Sequence, residues 1–199
     1  MILFASFIIG VLVWGAFNTA IEMTNTESFC VSCHEMGQYV FEDFRTTVHY
    51  QNQSGIRASC PDCHVPKVWG YKVLRKIGAT NELFHHFLGS VSTAEKFEDK
   101  RLTLARLVWK TMQANNSREC RNCHNEDFMD LTLQRDVARE QHLEAKDQGK
   151  TCIDCHKGIA HPLPEAFLDQ EHQRFEREAV PCWNCHEDMQ RPPENDRWE

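Results

Sequence analysis

The chain has 199 residues, with ten cysteines, eleven histidines and a formal net charge of −7. This length fits one or two small domains. The acidic balance, without a basic stripe of interleaved aromatic residues, excludes a typical nucleic-acid-binding protein. An acidic surface instead suits docking to a partner with a positive patch.

The first 21 residues, MILFASFIIGVLVWGAFNTAI, contain no charged side chain. About 20 apolar residues span a bilayer core as a helix. A cleaved signal peptide has a shorter apolar region and ends in a small-residue motif, which is not evident before Glu22. The sequence therefore predicts an uncleaved transmembrane anchor over residues 1–22. No lysine or arginine precedes the span, so charge bias does not indicate its orientation.

Every cysteine belongs to a CxxC pair that is followed at once by a histidine. The five motifs are Cys30/Cys33/His34, Cys60/Cys63/His64, Cys120/Cys123/His124, Cys152/Cys155/His156 and Cys182/Cys185/His186. CxxCH is the attachment motif of c-type haem. Zinc sites also use CxxC pairs but need no histidine directly after each, and a thioredoxin-type CxxC is single and lies in a βαβ unit. We therefore expect five covalently attached c-type haems, numbered 1 to 5 in chain order.

Haem attachment of this kind follows export, so the residues from Glu22 onward are expected in the periplasm, with the anchor in the bacterial cytoplasmic (inner) membrane. Cys30 and Cys120 are 90 residues apart, and Cys60 and Cys152 are 92 apart. This near-equality predicts a duplicated two-haem unit. The expected organisation is an anchor over 1–22, a tetrahaem domain over 23–165, and a C-terminal extension over 166–199 that carries the fifth haem.

The fold class predicted is mainly α, with a single transmembrane helix and a loop-rich, haem-packed cytochrome domain. Helical spacing of apolar residues predicts one helix over 93–115, with Thr93 as its N-cap, and another over 127–148, stopped by Gly149. Pro162 and Pro164 predict a linker, and Pro192-Pro193 predicts an extended tail. With so few residues per haem, the haems must supply much of the apolar core.

The stretch CVSCHEM carries a methionine two residues after the first motif's histidine. Two residues of extended chain reach roughly 7 Å, which is too short to pass round a porphyrin to its far face. Met36 therefore either packs against its surroundings or replaces His34 on the same face of the iron. Spacing alone favours packing, because methionine fills irregular gaps.

The anchor, CVSCHEM, TTVHY, CPDCHVPK, SRECRNCHN and TCIDCHKGIAH together resemble the NapC/NirT family of membrane-anchored multihaem quinol dehydrogenases, including its NrfH branch. The resemblance covers about residues 1–165. In that family a CxxCHxM motif marks the first haem, and its methionine ligates the iron. The resemblance therefore implies that Met36 is the ligand of haem 1, with a vacant opposite face near a quinol pocket. A thioether also raises the reduction potential relative to two imidazoles.

Haems 2 to 5 have His64, His124, His156 and His186 as proximal candidates. The family pattern implies His49, His142 and His161 as ligands on the opposite faces. For haem 5 we expect His172, with His85 or His86 as the next candidates. Met189 follows His186 too closely to serve the same iron from the far side, so it is expected to pack.

A quinol site needs an apolar slot and a group that accepts protons. In related quinol dehydrogenases a lysine is followed six or seven residues later by an aspartate near haem 1. Lys76 and Glu82 match that spacing, although a glutamate stands in place of the aspartate, and Lys67 and Lys72 are alternatives. These residues could also form a solvated basic face beside anionic lipid headgroups.

The function that the resemblance implies is quinol oxidation with electron transfer to a periplasmic reductase or soluble cytochrome. The cofactors expected are five haems, with quinol as substrate. The alternatives are an electron-wire subunit of a larger respiratory or photosynthetic complex, and a quinone reductase that runs in the reverse direction. A one-helix anchor also leads us to expect an oligomer or a complex with other proteins.

Overall fold

A computed structural model describes residues 1–184 and His186. The described part is mainly helical and contains no strand, which confirms the predicted fold class. Its α-helices are α1 (Ile2–Met23), α2 (Glu27–Cys30), α3 (Phe41–Arg45), α4 (Cys60–His64), α5 (Trp69–Gly78), α6 (Thr80–Phe87), α7 (Ala94–Ala114), α8 (Asp136–Asp147), α9 (Cys152–Cys155) and α10 (Glu165–Arg177). A π-helix at Met36–Val40 precedes α3, and short 3₁₀ turns lie at Cys120–Asn122, Glu126–Phe128, Leu131–Leu133 and Cys182–Asn184.

Helix α1 forms the predicted anchor. Its 22 residues give a length of about 33 Å at 1.5 Å per residue, enough to cross a bilayer core. Within the described residues, it is the single helix that is long and apolar enough to do so. Its one buried residue is Ile21, near the end that meets the rest of the protein. The apolar side chains of the helix therefore face outward, as lipid contact requires.

Helix α5 packs beside the C-terminal end of α1. The indole Nε1 of Trp69 donates a hydrogen bond to Asn18 Oδ1 at 2.8 Å, and the rings of Trp69 and Trp14 lie 5.3 Å apart. One turn further along α5, Lys72 Nζ lies 2.6 Å from Glu22 Oε1. Tryptophan side chains favour the boundary between lipid and water. These contacts fix α5 at the level where the anchor leaves the membrane.

The second and fourth CxxCH motifs form the same local structure. Ser59 caps α4 and Thr151 caps α9, and the aspartate three residues later accepts hydrogen bonds from the cap's backbone and side chain. This is the capping box, which satisfies backbone donors at both sides of the helix start. The third motif is tied to the fourth by Ser117, whose buried Oγ accepts a hydrogen bond from the Ile153 backbone N–H at 3.1 Å.

Helix α7 agrees with the predicted helix over 93–115. The Thr93 hydroxyl accepts a hydrogen bond from the Lys96 backbone N–H at 3.3 Å, as the sequence predicted for an N-cap. Phe97 on this helix is buried. One turn later, Arg101 Nη1 donates to Asp43 Oδ2 at 2.8 Å and joins α7 to α3.

The helix predicted over 127–148 is wrong for residues 127–135, because α8 begins only at Asp136. The preceding segment forms two 3₁₀ turns. Asn125 and Asp130 each accept a hydrogen bond from the backbone N–H two residues later, and such local bonds compete with helix formation. The predicted stop is correct: α8 ends at Asp147, and Gly149 follows with a φ of +64°.

The described residues contain a small apolar core of four buried side chains, Ile21, Phe44, Phe97 and Ile153. Large apolar side chains outside the anchor remain open; Leu104 and Leu107 on α7 are 39% and 59% exposed. A protein of this size normally buries far more of its apolar surface. The fold therefore provides surfaces that another apolar body must cover.

Candidate functional site

The first CxxCH motif begins where α2 ends. Thr26 caps α2 by accepting a hydrogen bond from the Phe29 backbone N–H, and Cys30 is the last residue of that helix. Met36 starts the π-helix, a rare element that is frequent at functional sites. A Cβ on Gly37 would lie 3.0 Å from the Val31 carbonyl oxygen, so the chain after the motif folds back against the CxxC loop.

The His34 imidazole is held by a backbone carbonyl. Its Nε2 lies 3.0 Å from the Ser92 carbonyl oxygen, which can only accept a hydrogen bond, so Nε2 carries the proton. That nitrogen has no lone pair to give to a metal in this arrangement. Met36, two residues on, is 37% exposed and its thioether is not enclosed by the fold.

Each of the other four motif histidines faces one distant histidine across a similar gap. The ring centroids are separated by 6.4 Å for His64 and His161, 6.1 Å for His124 and His49, 5.8 Å for His156 and His142, and 6.3 Å for His186 and His172. Two imidazoles on opposite faces of one metal, each bound through nitrogen at about 2.0–2.1 Å, hold their ring centroids roughly 6–6.5 Å apart. The spacing of all four pairs fits one iron atom between two imidazoles.

Burial favours the neutral imidazole in the His64–His161 pair and at His156. Burial, and to a smaller extent the nearby His161 and Arg75, lower the pKa of His64 to about 4. Burial also lowers the pKa of His161 and of His156. His49 has a buried Nδ1 without a hydrogen-bond partner among the described residues. Neutral imidazole is the form that ligates a metal.

The two remaining histidine candidates have other partners, and the His86 ring lies 6.0 Å from that of His34, the first motif's histidine. His85 Nδ1 lies 2.9 Å from the Ser90 hydroxyl, and His86 Nδ1 lies 2.9 Å from a carboxylate oxygen of Glu35. Neither of them faces His186, which is next to His172 with an angle of 12° between the two rings. Cys185 and Met189, together with the predicted tail at Pro192-Pro193, lie outside the described residues.

Successive attachment motifs are neighbours in space. The thiols of Cys30 and Cys60 lie close enough to interact: Cys60 lowers the pKa of Cys30, and Cys30 raises the pKa of Cys60. Burial raises the pKa of Cys63 to about 11, and the adjacent Cys120 adds to this effect. Burial and then Cys152 raise the pKa of Cys120. The first four motifs therefore follow one another in space in the order in which they occur along the chain.

The predicted attachment cysteines are not equally enclosed by the fold. In the described part of the chain, Cys123, Cys155 and Cys182 are exposed, whereas the other cysteines are partly buried. Cys123 follows the 3₁₀ turn Cys120–Asn122, and Cys33 also lies outside a helix, whereas Cys63 and Cys155 lie on the α-helices of their motifs. The Cys123 side chain is therefore exposed and not enclosed by the fold. Attachment of haem 3 through this residue stays a prediction that depends on the motif and on the His124–His49 pair.

A cavity of about 120 Å³ lies between the end of the anchor and the first two motifs. Its lining includes Thr24, Cys30, Cys60, Lys76 and Glu82. Cavities of about 150 Å³ accept a benzene ring. His64 also lines it, so the cavity places Lys76 and Glu82 beside the space that the first two haems would occupy, at the membrane end of the protein.

Lys76 is the predicted lysine that lines this cavity. Its Nζ donates a hydrogen bond to the Thr24 carbonyl oxygen at 2.6 Å, and burial lowers the pKa of its ammonium group. Of the two alternatives, Lys72 binds Glu22 at the end of the anchor, and Lys67 is exposed. Glu82 lines the same cavity and pairs with Arg75 at 2.8 Å.

The residues present fit covalently attached haem. The described cysteines are unpaired thiols, the imidazoles come in facing pairs, and the small core leaves apolar side chains that a porphyrin would cover. A structural zinc site brings its four ligands within about 4 Å of one another. None of the four imidazole pairs belongs to a cluster of three or more such ligand groups in the described part of the chain.

Comparison with known proteins identifies the family. The NapC/NirT cytochrome c family, N-terminal region, matches residues 1–166. The chain belongs to the NapC/NirT cytochrome c family. It is 52% identical over 170 residues to the denitrification system component NirT of Stutzerimonas stutzeri, covering 85% of each chain. It is 51% identical over 164 residues to the cytochrome c-type protein NapC of Escherichia coli, covering 82% of each chain.

A third relative, the cytochrome c-type protein NapC of Paracoccus pantotrophus, is 54% identical over 160 residues, which are 80% of this chain and 68% of that protein. The search of solved structures gave no significant match. Membership confirms the resemblance drawn from the motifs. This NapC/NirT protein is thus a multihaem c-type cytochrome of electron transport, attached to the membrane by α1.

Two features of the site were missed from the sequence. Glu35 lies inside the quoted CVSCHEM stretch, yet its burial and its contact with His86 depend on a helix 50 residues away. The sequence does not reveal Ser92 as a partner of His34, because the contact uses the Ser92 backbone carbonyl rather than its side chain. The available signal for Glu35 was its position between the histidine of the CxxCH motif and Met36.

Proposed function

We propose that this NapC/NirT protein is a pentahaem quinol dehydrogenase, which takes electrons from quinol at the membrane and delivers them to a periplasmic reductase or soluble cytochrome. The haems supply one-electron redox chemistry when they are bound. Met36 would hold the first, and the pairs His64–His161, His124–His49, His156–His142 and His186–His172 would hold the others. The observation that carries the proposal is the position of the Lys76 cavity, between the anchor and the first two attachment sites.

The fold supports access from the lipid. Helices α5 and α6 expose a row of apolar side chains, with Leu74, Ile77, Phe84 and Phe87 between 59% and 83% exposed. Since Trp69 on α5 contacts the anchor, this surface lies beside the membrane rather than in open solvent. Apolar residues next to a tryptophan at a membrane boundary are typical of an interfacial helix. A quinol could enter the Lys76 cavity along it.

Lys76 is proposed to accept a proton from quinol at Nζ. Burial disfavours the charged ammonium, and the pKa of Lys76 is lowered for that reason. A neutral amine can take the hydroxyl proton of quinol while its N–H still donates to the Thr24 carbonyl. Glu82, held by Arg75 at the same cavity, is proposed to receive that proton and release it to solvent, since its side chain is 63% exposed.

The first four motifs support an electron path, because they are neighbours in sequence order. The His186–His172 pair extends this order beyond the family match at residue 166. We propose that the fifth haem brings the path closer to the acceptor. The relative named as a denitrification system component makes a reductase of nitrogen oxides one class of acceptor to test.

The experiment is anaerobic stopped-flow reduction of the purified, haem-loaded protein by a short-chain quinol. Lys76→Met is compared with Lys67→Met, which removes an exposed lysine outside the cavity. We expect reduction of the wild type and of Lys67→Met at the same rate. Loss of a general base slows a reaction by about 10²–10⁴-fold, so Lys76→Met should be at least about 100-fold slower.

Two results would contradict the proposal. A wild-type protein that stays oxidised with quinol, although a chemical reductant reduces it, would indicate an electron-wire subunit without quinol chemistry. Equal rates for both lysine variants would remove Lys76 from the site. Potentiometric titration of the five haems against the native quinone would then test the direction, because haem potentials below that of the quinone favour quinone reduction.

A further inference from the structure

Three ligand-forming side chains meet beside the first attachment motif, outside the Lys76 cavity. His34, Glu35 and His86, here named the His–Glu–His cluster, each offer one nitrogen or oxygen atom within 4.8 Å of the others. The nearest approaches are 2.9 Å between His86 Nδ1 and Glu35 Oε2, and 3.4 Å between His34 Nδ1 and the same oxygen. The cluster joins the CVSCHEM segment to α6.

The glutamate of this cluster is buried without a strong cation. The Glu35 side chain is 3% exposed, and its ion-pair partners in the described part of the chain are the two histidines. A buried carboxylate is costly unless it is paired with a charge or bound to a metal. In the ion-free site His86 Nδ1 carries a hydrogen and donates it to Glu35. A cation that binds between these groups would take Nδ1 in the tautomer that keeps its hydrogen on Nε2.

The tautomer of His34 also favours a positive charge between this ring and Glu35. Because Nε2 donates to the Ser92 carbonyl, Nδ1 of the neutral ring carries a lone pair. This lone pair faces the Glu35 carboxylate, and two acceptors at 3.4 Å repel each other unless something positive lies near both. Metal-binding histidines commonly donate their other N–H to a backbone carbonyl, which fixes the tautomer and aims the free nitrogen at the metal. The Ser92 contact orients His34 in this way.

The donor set has a clear preference. Two imidazoles with one carboxylate suit zinc-class divalent cations, which take such ligands in a tetrahedron with one position left for water. Both histidines are partly exposed, at 46% and 33% of their side chains, so an ion can reach the site from solvent. We propose that the His–Glu–His cluster binds one zinc-class divalent cation.

This inference rests on the proposed function, since it requires that Met36 rather than His34 ligates the first iron. A bound cation would place two positive charges next to Cys33 and Met36. Positive charge favours the reduced form of a nearby redox centre. Cation binding should therefore raise the reduction potential of haem 1 and leave the more distant haems unchanged, which would make the site a control point on electron entry.

The test uses the purified, haem-loaded protein after treatment with a chelator. Zn²⁺ is titrated by isothermal calorimetry into the wild type, His86→Gln and His85→Gln. The last is a matched control, because His85 is the adjacent residue and contacts Ser90 instead of Glu35. We expect one Zn²⁺ per chain in the wild type and in His85→Gln, and at least tenfold weaker binding in His86→Gln. In the first two proteins, Zn²⁺ should also shift the haem 1 potential upward.

Absence of stoichiometric Zn²⁺ binding in the wild type, or equal binding by the two variants, would overturn the cluster as a cation site and leave a protonated imidazole as its counter-charge. Electron paramagnetic resonance on the same samples separates this failure from failure of the proposed function. A thioether-ligated haem 1 without Zn²⁺ binding contradicts the cluster alone. A haem 1 ligated by His34 contradicts the Met36 assignment and the cluster together.

Discussion

Replacing His161 with alanine tests the proposed ligand pairs at the place where the sequence separation is largest. His161 lies 97 residues after His64, yet the two ring centroids are 6.4 Å apart. Among the described residues, no other histidine ring faces His64. We therefore expect the haem attached at Cys60 and Cys63 to lose its sixth ligand in His161→Ala and to become high-spin, while covalent attachment is unchanged.

The size of the effect follows from the number of pairs. Four of the five close imidazole pairs in the described residues are proposed to hold haem iron, whereas the fifth, His34–His86 at 6.0 Å, has the Glu35 carboxylate against both rings. The variant removes one member of one of those four pairs. The low-spin bis-imidazole signal should fall by about a quarter. Added imidazole should restore it, because the variant leaves a space of the lost ring's size on the open face of the iron.

The assay is low-temperature electron paramagnetic resonance with spin quantitation, at equal haem content by pyridine haemochrome. His85→Ala serves as the control and should keep the full low-spin signal, since His85 contacts Ser90 rather than another imidazole. An unchanged low-spin signal in His161→Ala would refute the pairing. A loss of equal size in His85→Ala would refute the reasoning that facing rings identify the ligands.

Three further predictions concern proton transfer and stability. Burial lowers the pKa of Lys76 below its usual value of about 10.4. The rate of quinol-driven reduction should therefore rise with pH as the neutral amine becomes populated, and level off above the lowered pKa. Lys76→Met should abolish this rise. Ser117→Ala leaves the buried Ile153 N–H without its acceptor and should lower the free energy of unfolding by about 1–3 kcal/mol. The midpoint of denaturant unfolding should fall accordingly. An unchanged midpoint would mean that water replaces the hydroxyl. Arg101→Met removes the partly buried contact with Asp43 and should cost about 1 kcal/mol, with salt weakening the wild type toward the variant; a salt-independent difference would contradict an electrostatic origin.

Much of the candidate site could be predicted because the signals are local. The two cysteines and the histidine of CxxCH are adjacent in the chain, so attachment needs no knowledge of the fold. The anchor is a continuous apolar run, and α7 begins at a threonine whose cap involves a residue three positions away. The start of α8 was missed for a local reason as well, since short polar side chains at Asn125 and Asp130 bind the backbone in competition with the helix.

Opposing imidazoles were beyond spacing arguments, and family resemblance had to supply their candidates. His49 and His124 are 75 residues apart, whereas His142 and His156 are 14 apart, yet both pairs face each other at about the same distance. His49 and His64 in the first half of the chain pair with His124 and His161 in the second half. A duplicated sequence pattern does not reveal such an exchange, because it depends on how the halves pack. The exposure of Cys123 likewise has no signal in the sequence, because its motif reads like the others.

The sequence by itself determined how many CxxCH motifs the chain offers for haem, which segment is long and apolar enough to anchor it in the membrane, and which side chains are chemically able to serve. Only the tertiary structure decided which lysine borders the cavity beside the anchor, which imidazoles face each other, and that Glu35 is buried between two histidines. The physical reason is that covalent attachment and helix formation are set by neighbours along the chain. Ligand pairing and charge burial are set by neighbours in space, and these form only when distant segments pack together.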